Sequence, residues 1–469
     1  MNNNKSNIFL LAIIVTLAII IRIVFFNTVI NHPISLIDTH FKQMDMYGNI
    51  EWAGKIVNGD YLSKDTWHPY HKWMQDIAPI SRWHKWWHGE KIFHRAPLYP
   101  YFLAASINIF KSHLPSIRWL QHLIGIFSVI LIFMISLEIS GRTEAFISSL
   151  LAALYFPFLC FEFHFLRDFM AMNFLLIFIL IIAKYVKNQK NIYIFLAGLF
   201  CGISILIREN MLILIPAFII LILFNKITVK NKVSRILIYI SGILLSLIPL
   251  FIRNIIVDAP LLSLSNRFIE SLIEGNAFDS SVYYMYIPES MKRYLSLGEG
   301  NILTTIKLII NDYPSFYLIL KMELLKFISI FSCLEPYNNI NLYYYLETFW
   351  WLNLLPDYAS ISLLSLAGFF LYIRQNKSKF LLIIFASMVC SLMIAPILAR
   401  YRLILIPFFL IFTGISGNFL FEKIFKKSIK KTILTLIIIL SLSSFIINHS
   451  IIDNTTKQNI AKLKLLCNN

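Results

Sequence analysis

Repeated apolar runs, each about as long as the hydrocarbon core of a bilayer is thick, restrict the fold of this chain more than any other feature. A helix needs about 20 apolar residues to cross a membrane. The first run, residues 8–26, is too long for a signal-peptide core and lacks a small-residue cleavage site, so we expect a retained helix. Hydrophobic residues make up 58% of the 469 residues. The sequence therefore predicts an all-α polytopic membrane protein.

About eleven runs have membrane length, which gives about eleven predicted spans. They are residues 8–26, 118–138, 144–160, 167–184, 191–207, 210–225, 234–252, 358–373, 379–397, 402–420 and 430–447. With the N-terminus in the cytoplasm, the short inner segments hold most of the connecting lysines and arginines, as the positive-inside rule requires.

Two further apolar stretches do not fit the alternation of spans. Residues 97–111 are short for a span, and residues 313–333 contain Lys321, Glu323 and Lys326, which are costly at bilayer depth. We expect both stretches to be helices at the outer interface. If both span instead, the total is about thirteen and the charge distribution fits less well.

Composition excludes several classes of partner. The net charge of +17 is spread over short loops between apolar runs, which is typical of membrane topology and does not predict a nucleic-acid interface. The five cysteines are scattered without a CxxC spacing, so the sequence predicts neither a disulfide framework nor a zinc site.

Asp45 begins a segment with helical periodicity in the first predicted outer loop. The apolar residues between Ile50 and Val57 share one face, which predicts an amphipathic helix ending at Gly59. An aspartate at this place is first of all an N-cap. The functional alternative is a general base held at the membrane surface.

Cations collect at the predicted outer ends of the helices. Arg95 precedes Pro97 and Pro100, and a guanidinium there is suited to a phosphate at headgroup level, although arginines at such places also simply snorkel. Further outer arginines are Arg208, Arg253, Arg400 and Arg402. Several such arginines at one face predict a binding site for a phosphate or pyrophosphate lipid headgroup.

Two acids lie at the predicted outer mouth of the third and fourth spans. Asp168 follows Arg167, which offers it a local ion pair, whereas Glu162 has no neighbour of opposite charge in the sequence. Acids at a lipid boundary are usually paired or functional, so both are candidate site residues.

Tryptophans and histidines alternate through residues 66–94. Tryptophans near a membrane are most often interfacial anchors, and we expect that role here. His84 and His88 have the spacing of two ligands on one helix face, but no cysteine or carboxylate pattern accompanies them. No metal ligands are therefore predicted.

These elements together resemble the bacterial multi-pass membrane glycosyltransferases related to dolichyl-phosphate-mannose–protein mannosyltransferases and to aminoarabinose transferases, which share the C-type glycosyltransferase fold. The matching elements, in order, are Asp45, Trp52-Ala53, Gly59-Asp60, Arg95 to Tyr101, Gln121 to Gly125, Phe161-Glu162, Gly198 to Gly202, Arg208 to Asn210, Arg253-Asn254, Gly275-Asn276 and Arg400 to Arg402 before Pro407. The ordered set covers residues 8–420.

The resemblance implies transfer of a sugar from a polyprenyl-phosphate donor to a hydroxyl of a lipid, glycan or protein acceptor, at the outer face of a bacterial inner membrane. Asp45 would be the general base. The donor phosphate would be bound by Arg95, Arg208, Arg253, Arg400 and Arg402, and Glu162 and Asp168 would organise the acceptor or a cation. Many relatives have two adjacent acids where this chain has Asp45-Met46, so a divalent cation stays an open question and no cofactor is certain.

The resemblance also suggests three parts. Residues 1–252 would form an N-terminal catalytic transmembrane module with outer loop 27–117, residues 253–357 a second outer loop region, and residues 358–469 the C-terminal spans and tail. A transporter or flippase of lipid-linked saccharides is the alternative from another class, but such proteins usually show internal repeats and polar residues deep within helices. A polymerase or ligase would carry its large outer loop late in the chain.

Overall fold

The computed structural model describes residues 2–224, 227–283, 286–375, 379–425 and 454–468. In the N-terminal half the α-helices are α1 (Asn2–Val29), α2 (Ile37–His40), α3 (Asp45–Val57), α4 (Lys72–Ile77), α5 (Ile80–Trp86), α6 (Leu98–Ile109), α7 (Leu114–Ile139), α8 (Arg142–Leu154), α9 (Phe156–Phe163), α10 (Arg167–Asn188), α11 (Asn191–Ile207), α12 (Leu214–Phe224) and α13 (Val229–Ile256). They are followed by α14 (Phe268–Asn276), α15 (Met291–Gly298), α16 (Ile302–Asp312), α17 (Phe316–Phe331), α18 (Leu342–Thr348), α19 (Tyr358–Arg374), α20 (Lys379–Leu392), α21 (Ala399–Arg402), α22 (Ile406–Phe425) and α23 (Asn454–Asn468). Helices and short 3-10 turns make up the regular structure of these ranges, which confirms the predicted all-α membrane protein.

The number of membrane-length helices differs from the number of spans that the sequence predicts. Six helices are long and apolar enough to cross a membrane, or seven if α8 and α9, which are bent by 52°, form one broken span. Three predicted spans, α11, α12 and α20, are shorter apolar helices. The predicted run 430–447 lies outside the described residues. Ten of the eleven predicted runs are thus matched in position by helices, but three of these helices are short for a span, and the count of eleven is not confirmed.

The helix bundle has two ends, which polar contacts between helices identify. At one end Arg142 donates to Ser6, and Lys187 pairs with Glu138 at 2.9 Å. At the other end Arg118 pairs with Asp38 at 3.0 Å, only a few residues before Asp45. We call the second the Asp45 end.

Small residues bring two helices of the bundle close together. A Cβ on Gly198 of α11 or on Gly242 of α13 would overlap the backbone of the other helix. In lipid, helices associate largely through such close packing, because apolar side chains gain little by leaving the lipid. The outer surfaces of α1 and α13 carry exposed side chains such as Ile20, Leu237 and Ile255, which suits contact with acyl chains.

The tryptophan-rich segment does not anchor the protein as predicted. Trp83, Trp86 and Trp87 are at most 3% exposed. They form a second apolar core with residues of α14 and α15, including Ile273 and Tyr294. The prediction of interfacial anchors is therefore wrong for these three tryptophans, because residues of α14 and α15, far later in the chain, cover them. The segment instead packs against the region that follows α13.

The two apolar stretches that do not fit as spans are short helices. α6 has 12 residues, which are too few to cross a bilayer. It packs against α3. α17 exposes Phe316, Tyr317 and Leu320, while Lys326 on its other side is buried and donates 2.6 Å to Asn276. Exposed apolar residues opposite a buried, satisfied cation fit the predicted helix at the interface.

Candidate active site

Asp45 is the first residue of α3. Met44 is the N-cap and makes no side-chain capping bond, so the N-cap interpretation of Asp45 is wrong. The carboxylate accepts hydrogen bonds from Arg95 at 2.5 Å, from Asn339 at 3.0 Å and from Arg400. Its side chain is 14% exposed. An acid with three donors is held in one orientation, as a reacting carboxylate must be.

The charge of Asp45 is maintained by its neighbours. Burial alone would raise the pKa of its carboxyl group, but the positive charges of Arg95, Arg400 and Arg267 hold that pKa well below its usual range. The group is therefore ionised at neutral pH, and it can accept a proton only if these cations are drawn elsewhere.

A cavity of about 570 Å³ opens beside this carboxylate at the Asp45 end of the bundle. Its polar end is lined by Asp45 and by five arginines, which are Arg95, Arg167, Arg208, Arg267 and Arg400. Its apolar wall comes mainly from α12 with its preceding 3-10 turn and from α20, with Leu212, Ile213, Pro216, Leu392 and Ile394. A cationic end joined to an apolar wall fits an amphiphile with an anionic head.

Two acids of the cavity pair with arginines across elements. Asp168 at the start of α10 pairs with Arg208, which follows α11. Arg167 pairs with Glu209 at 3.1 Å, and Glu209 also accepts from the backbone N–H of Ala96 at 2.6 Å. Asp168 thus does not pair with its sequence neighbour, because the two side chains point along different sides of the helix. These pairs fix the arginines in the cavity wall.

Arg400, which lines the cavity, carries one donor whose hydrogen bond is unsatisfied among the described residues. Nε of Arg400 is buried and has no hydrogen-bond partner among the described residues. A buried guanidinium N–H without a partner is costly, so this site can gain from an anionic ligand. Of the sequence-predicted residues, Asp45, Arg95, Arg208, Arg400 and Asp168 meet here.

Two predicted phosphate ligands lie elsewhere. Arg253 donates to the backbone carbonyls of Leu62 at 2.9 Å, Ser63 at 2.8 Å and Lys91 at 2.7 Å. Arg402 donates to the carbonyls of Ser332 at 2.9 Å and Leu334 at 2.6 Å. Both guanidiniums are used to hold loops, and the geometry gives no support to their predicted role. Hydropathy places a residue at a helix end but does not fix the direction of its side chain.

Glu162 also lies outside the cavity, in a fully buried cluster between α1, α7 and α9. Its carboxylate accepts from Arg22 at 2.6 Å and from His122 at 3.0 Å. Arg22 is 140 residues away in the chain, which is why no partner is visible in the sequence around Glu162. The bonds of this acid are directed into the bundle, so the predicted acceptor or cation role has no geometric support.

Gly125 makes room for this cluster, and replacing it provides a test. A Cβ at position 125 would overlap the Glu162 carboxylate, which Arg22 prevents from moving. We expect Gly125→Ala to lower the free energy of unfolding by about 3 kcal/mol, as for a broken buried ion pair. Thermal unfolding in detergent measures it. Gly54→Ala, where a Cβ meets nothing within 4 Å, should not lower the melting temperature, and equal losses in both variants would contradict the explanation.

Arg267 and Asn339 lie at the site although the sequence did not single them out, and Glu209 was noted only as part of the motif that begins at Arg208. Arg267 pairs with Glu270 at 3.5 Å and Glu274 at 3.3 Å, both on α14. The Arg-x-x-Glu-x-x-x-Glu spacing predicts ion pairs on the surface of a helix. It gives no sign that Arg267 lines the same cavity as Asp45, which lies far earlier in the chain.

Glu270 gives the outer region a pH-dependent stability. Burial raises the pKa of its carboxyl group to about 7, against the attraction of Arg267. The folded state therefore binds more protons than the unfolded state between about pH 4.5 and 7, and the contribution of Glu270 to stability falls as pH rises through that window. We expect Glu270→Gln, which can still accept from Trp87, to gain on the order of 1–2 °C in melting temperature relative to wild type between pH 5 and pH 8. Asp76→Asn, at an exposed acid, should show no such change, and a constant difference for Glu270→Gln would contradict the assignment.

No group of three or more histidine, cysteine or acidic side chains in the described residues is arranged to hold a metal ion. His84 instead pairs with Glu90 at 2.8 Å, and His88 contacts the carbonyl of Gly300 at 2.9 Å. The two histidines therefore have different partners, although their spacing would let them share one.

Comparison with known families adds an independent observation. Residues 94–255 match the model of the family described as dolichyl-phosphate-mannose-protein mannosyltransferase. The match indicates a membrane glycosyltransferase. The matched range contains five of the arginine and acid positions that line the cavity, namely Arg95, Arg167, Asp168, Arg208 and Glu209. The family match and the cavity thus concern the same part of the molecule.

Solved structures that resemble the chain are oligosaccharyltransferases. AglB from Archaeoglobus fulgidus, in complex with an inhibitory peptide and a dolichol-phosphate, has a TM-score of 0.42 and 12% identity, covering 77% of this chain and 48% of that chain. The apo oligosaccharyltransferase from the same organism has a TM-score of 0.45 and 12% identity, covering 88% and 56%. This chain therefore spans about half the length of these proteins. No curated protein matches the chain.

Proposed function

We propose that the protein transfers a sugar from a polyprenyl-phosphate-linked donor to an acceptor hydroxyl, with Asp45 as general base. The observation that carries the proposal is the cavity itself. Its apolar wall suits a polyprenyl chain, and its five arginines suit a phosphate headgroup. The match to a mannosyltransferase family over residues 94–255 and the sequence resemblance support the same donor class.

The groups at the polar end are suited to the steps of such a transfer. The acceptor oxygen would form a bond to the anomeric carbon of the donor sugar, and the proton of its hydroxyl would pass to Asp45. The bond between the anomeric carbon and the phosphate oxygen breaks, and its electron pair leaves with the polyprenyl phosphate. Fixed guanidiniums stabilise the charge that develops on this leaving group.

The donor phosphate would also change the state of Asp45. Arg95 and Arg400 both contact the carboxylate in the described state, and both line the cavity. A phosphate bound there competes for the same two guanidiniums. As they turn towards the phosphate, the pKa of Asp45 rises towards its ordinary value, because two stabilising charges move away. The base would thus become effective when the donor is present.

The orientation in the membrane is part of the proposal. Arg142 and Lys187, which the positive-inside rule assigns to the cytoplasm, lie at the end of the bundle opposite Asp45. We therefore propose that the cavity opens at the extracytoplasmic face of the plasma membrane, where a lipid-linked donor is used after it has crossed the bilayer.

Reconstitution tests the function directly. The purified protein is placed in vesicles with a panel of polyprenyl-phosphate sugars that differ in the sugar, together with envelope material from a strain lacking the protein as acceptor. We expect one donor to yield free polyprenyl phosphate and a new glycoside in equal amounts, both measured by mass spectrometry. If intact donor crosses the vesicle membrane and no glycosidic bond forms, the protein is a flippase and the proposal fails.

A further inference from the structure

Asn339 contacts both the main chain and the side chain of Asp45. The backbone N–H of Asp45 donates to Oδ1 of Asn339 at 2.9 Å. Nδ2 of Asn339 donates in turn to Oδ2 of Asp45 at 3.0 Å. A single amide therefore fixes the first residue of α3 and the direction of its carboxylate, although 294 residues separate the two in the chain.

The loop that carries Asn339 is itself held rigidly. Arg402 donates to the carbonyls of Ser332 and Leu334 at the start of the loop, and Asn341 caps α18 at its end. The N–H of Ala399, next to Arg400, donates to the carbonyl of Pro336 at 3.0 Å. These contacts give the amide of Asn339 a fixed position relative to the cavity.

The backbone at Asn339 is left-handed, with φ of 63°. Few side chains tolerate this conformation, and asparagine is one that does so readily. Its amide is also bonded to Oδ1 of Asn338 at 2.7 Å, which leaves the plane of the group little freedom. The residue type therefore satisfies a backbone requirement and a side-chain requirement at once.

Asn339 differs from the other two partners of Asp45 in its place and its charge. Arg95 and Arg400 line the cavity and carry the charge that a phosphate attracts, whereas Asn339 is neutral and does not line the cavity. A donor phosphate would draw the two guanidiniums and leave the amide where it is. Asn339 is then the partner that remains on the carboxylate during the reaction.

We propose that Asn339 is the positioning residue of Asp45, which keeps the carboxylate aimed at the acceptor hydroxyl while Arg95 and Arg400 contact the donor phosphate. This inference rests on the proposed function. Asn339 touches no reacting atom, and it acts only through Asp45.

Other charged groups surround Asp45 and enter any interpretation of its pH dependence. They come from the outer loops, α14 and α21, and they are His71, Arg95, Arg267, Glu274 and Arg400. Variants at position 339 leave all of them in place, so a change in the pH profile of such a variant reports on the amide.

Two substitutions separate the side chain from the backbone. Asn339→Gly keeps the left-handed conformation and removes the amide. We expect kcat to fall about tenfold, as for one lost hydrogen bond to a charged group, with the donor KM within twofold of wild type. The acid limb of the pH–rate profile should move to higher pH, because the charged form of Asp45 loses a donor. Asn339→Asp keeps the shape but cannot donate from an ionised carboxylate, so it should lose more.

Controls distinguish the outcomes. Glu51→Gln, at an exposed carboxylate of α3 that accepts from Tyr47 and Trp67, should leave kcat within about threefold and the pH profile unmoved. Wild-type kcat and pH profile in Asn339→Gly, with Asp45→Asn inactive, would overturn this inference alone, whereas an active Asp45→Asn would overturn the proposed function. A merely structural role would lower the amount of folded protein without moving the acid limb. If Asn339→Gly folds poorly, Asn339→Asp decides between these results.

Discussion

Asp45→Asn is expected to reduce sugar transfer by about 100-fold or more, while the protein still folds and inserts. An asparagine nearly preserves the volume of the side chain, and its single oxygen can accept from one of the two arginines that contact Asp45, but it cannot take the acceptor proton at neutral pH. The loss should therefore appear in kcat. Transfer of radiolabelled or mass-labelled sugar from a polyprenyl-phosphate donor, with the amount of folded protein measured by size exclusion, gives the comparison.

Donor binding by Asp45→Asn is expected to change in the opposite direction to its kcat. Without the negative charge of Asp45, the two guanidiniums are no longer shared with a carboxylate, so the affinity for polyprenyl phosphate should be unchanged or higher. A lower kcat with equal or higher affinity for the donor is expected when a general base is lost, whereas the loss of a donor-binding residue would lower that affinity. Weaker binding in Asp45→Asn would show that Asp45 serves mainly to hold the site together.

Glu51→Gln is the matched control for this variant. Glu51 lies on the same helix, but its carboxylate is exposed, and among the described residues it accepts hydrogen bonds from Tyr47 and Trp67. We expect wild-type transfer from this variant. Equal loss in Glu51→Gln and Asp45→Asn would indicate that α3 tolerates no neutral substitution, and full activity in Asp45→Asn would exclude it as the base.

Local sequence signals predicted the helix that begins at Asp45 and several of the residues that line the cavity. The helix at Asp45–Val57 was predicted from apolar spacing and from Gly59, and Gly59 has a φ of 109°, which favours glycine where the helix has ended. Arg95, Arg208 and Arg400 were predicted from hydropathy, since each follows or precedes an apolar run. Such signals are visible in the sequence because they depend on residues that are neighbours in the chain.

Long-range contacts explain what the sequence could not reveal. Arg253 and Arg402 lie at helix ends just as Arg208 and Arg400 do, yet they bind loop carbonyls, because the direction of a side chain depends on which loop packs beside it. Asn339 lies in a loop without periodicity, and its bond to Asp45 joins residues 294 positions apart. Trp83 was likewise predicted to lie at the membrane interface, but α15 packs over it and buries it.

Arg400→Gln is expected to weaken the binding of polyprenyl phosphate about 10- to 100-fold, which corresponds to the loss of one or two charge-assisted hydrogen bonds. Arg400 lines the cavity and donates to the carboxylate of Asp45, and a phosphate bound there would compete for the same guanidinium. Arg400→Lys keeps the charge but loses the planar pair of donors, and it should fall between the wild type and Arg400→Gln. The defect should appear as a raised donor KM.

Cys390 provides a measurement of binding that does not require knowledge of the sugar. Its thiol lines the same cavity and is exposed, whereas Cys160 and Cys201 are buried. Polyprenyl phosphate bound in the cavity should slow alkylation of this thiol, and the lipid concentration that halves the rate gives the affinity. Cys390→Ser identifies the labelling that comes from other cysteines.

Arg253→Gln completes the comparison, because the sequence alone predicted the same role for Arg253 and Arg400. Arg253 binds the carbonyls of Leu62 and Lys91 outside the cavity, so its loss should lower the melting temperature and leave the protection of Cys390 by polyprenyl phosphate within about threefold. Equal weakening in Arg253→Gln and Arg400→Gln would mean that the phosphate does not bind at the polar end of the cavity. A selective effect of Arg400 would instead assign the headgroup to the guanidiniums around Asp45, where a leaving phosphate and a proton acceptor are both required.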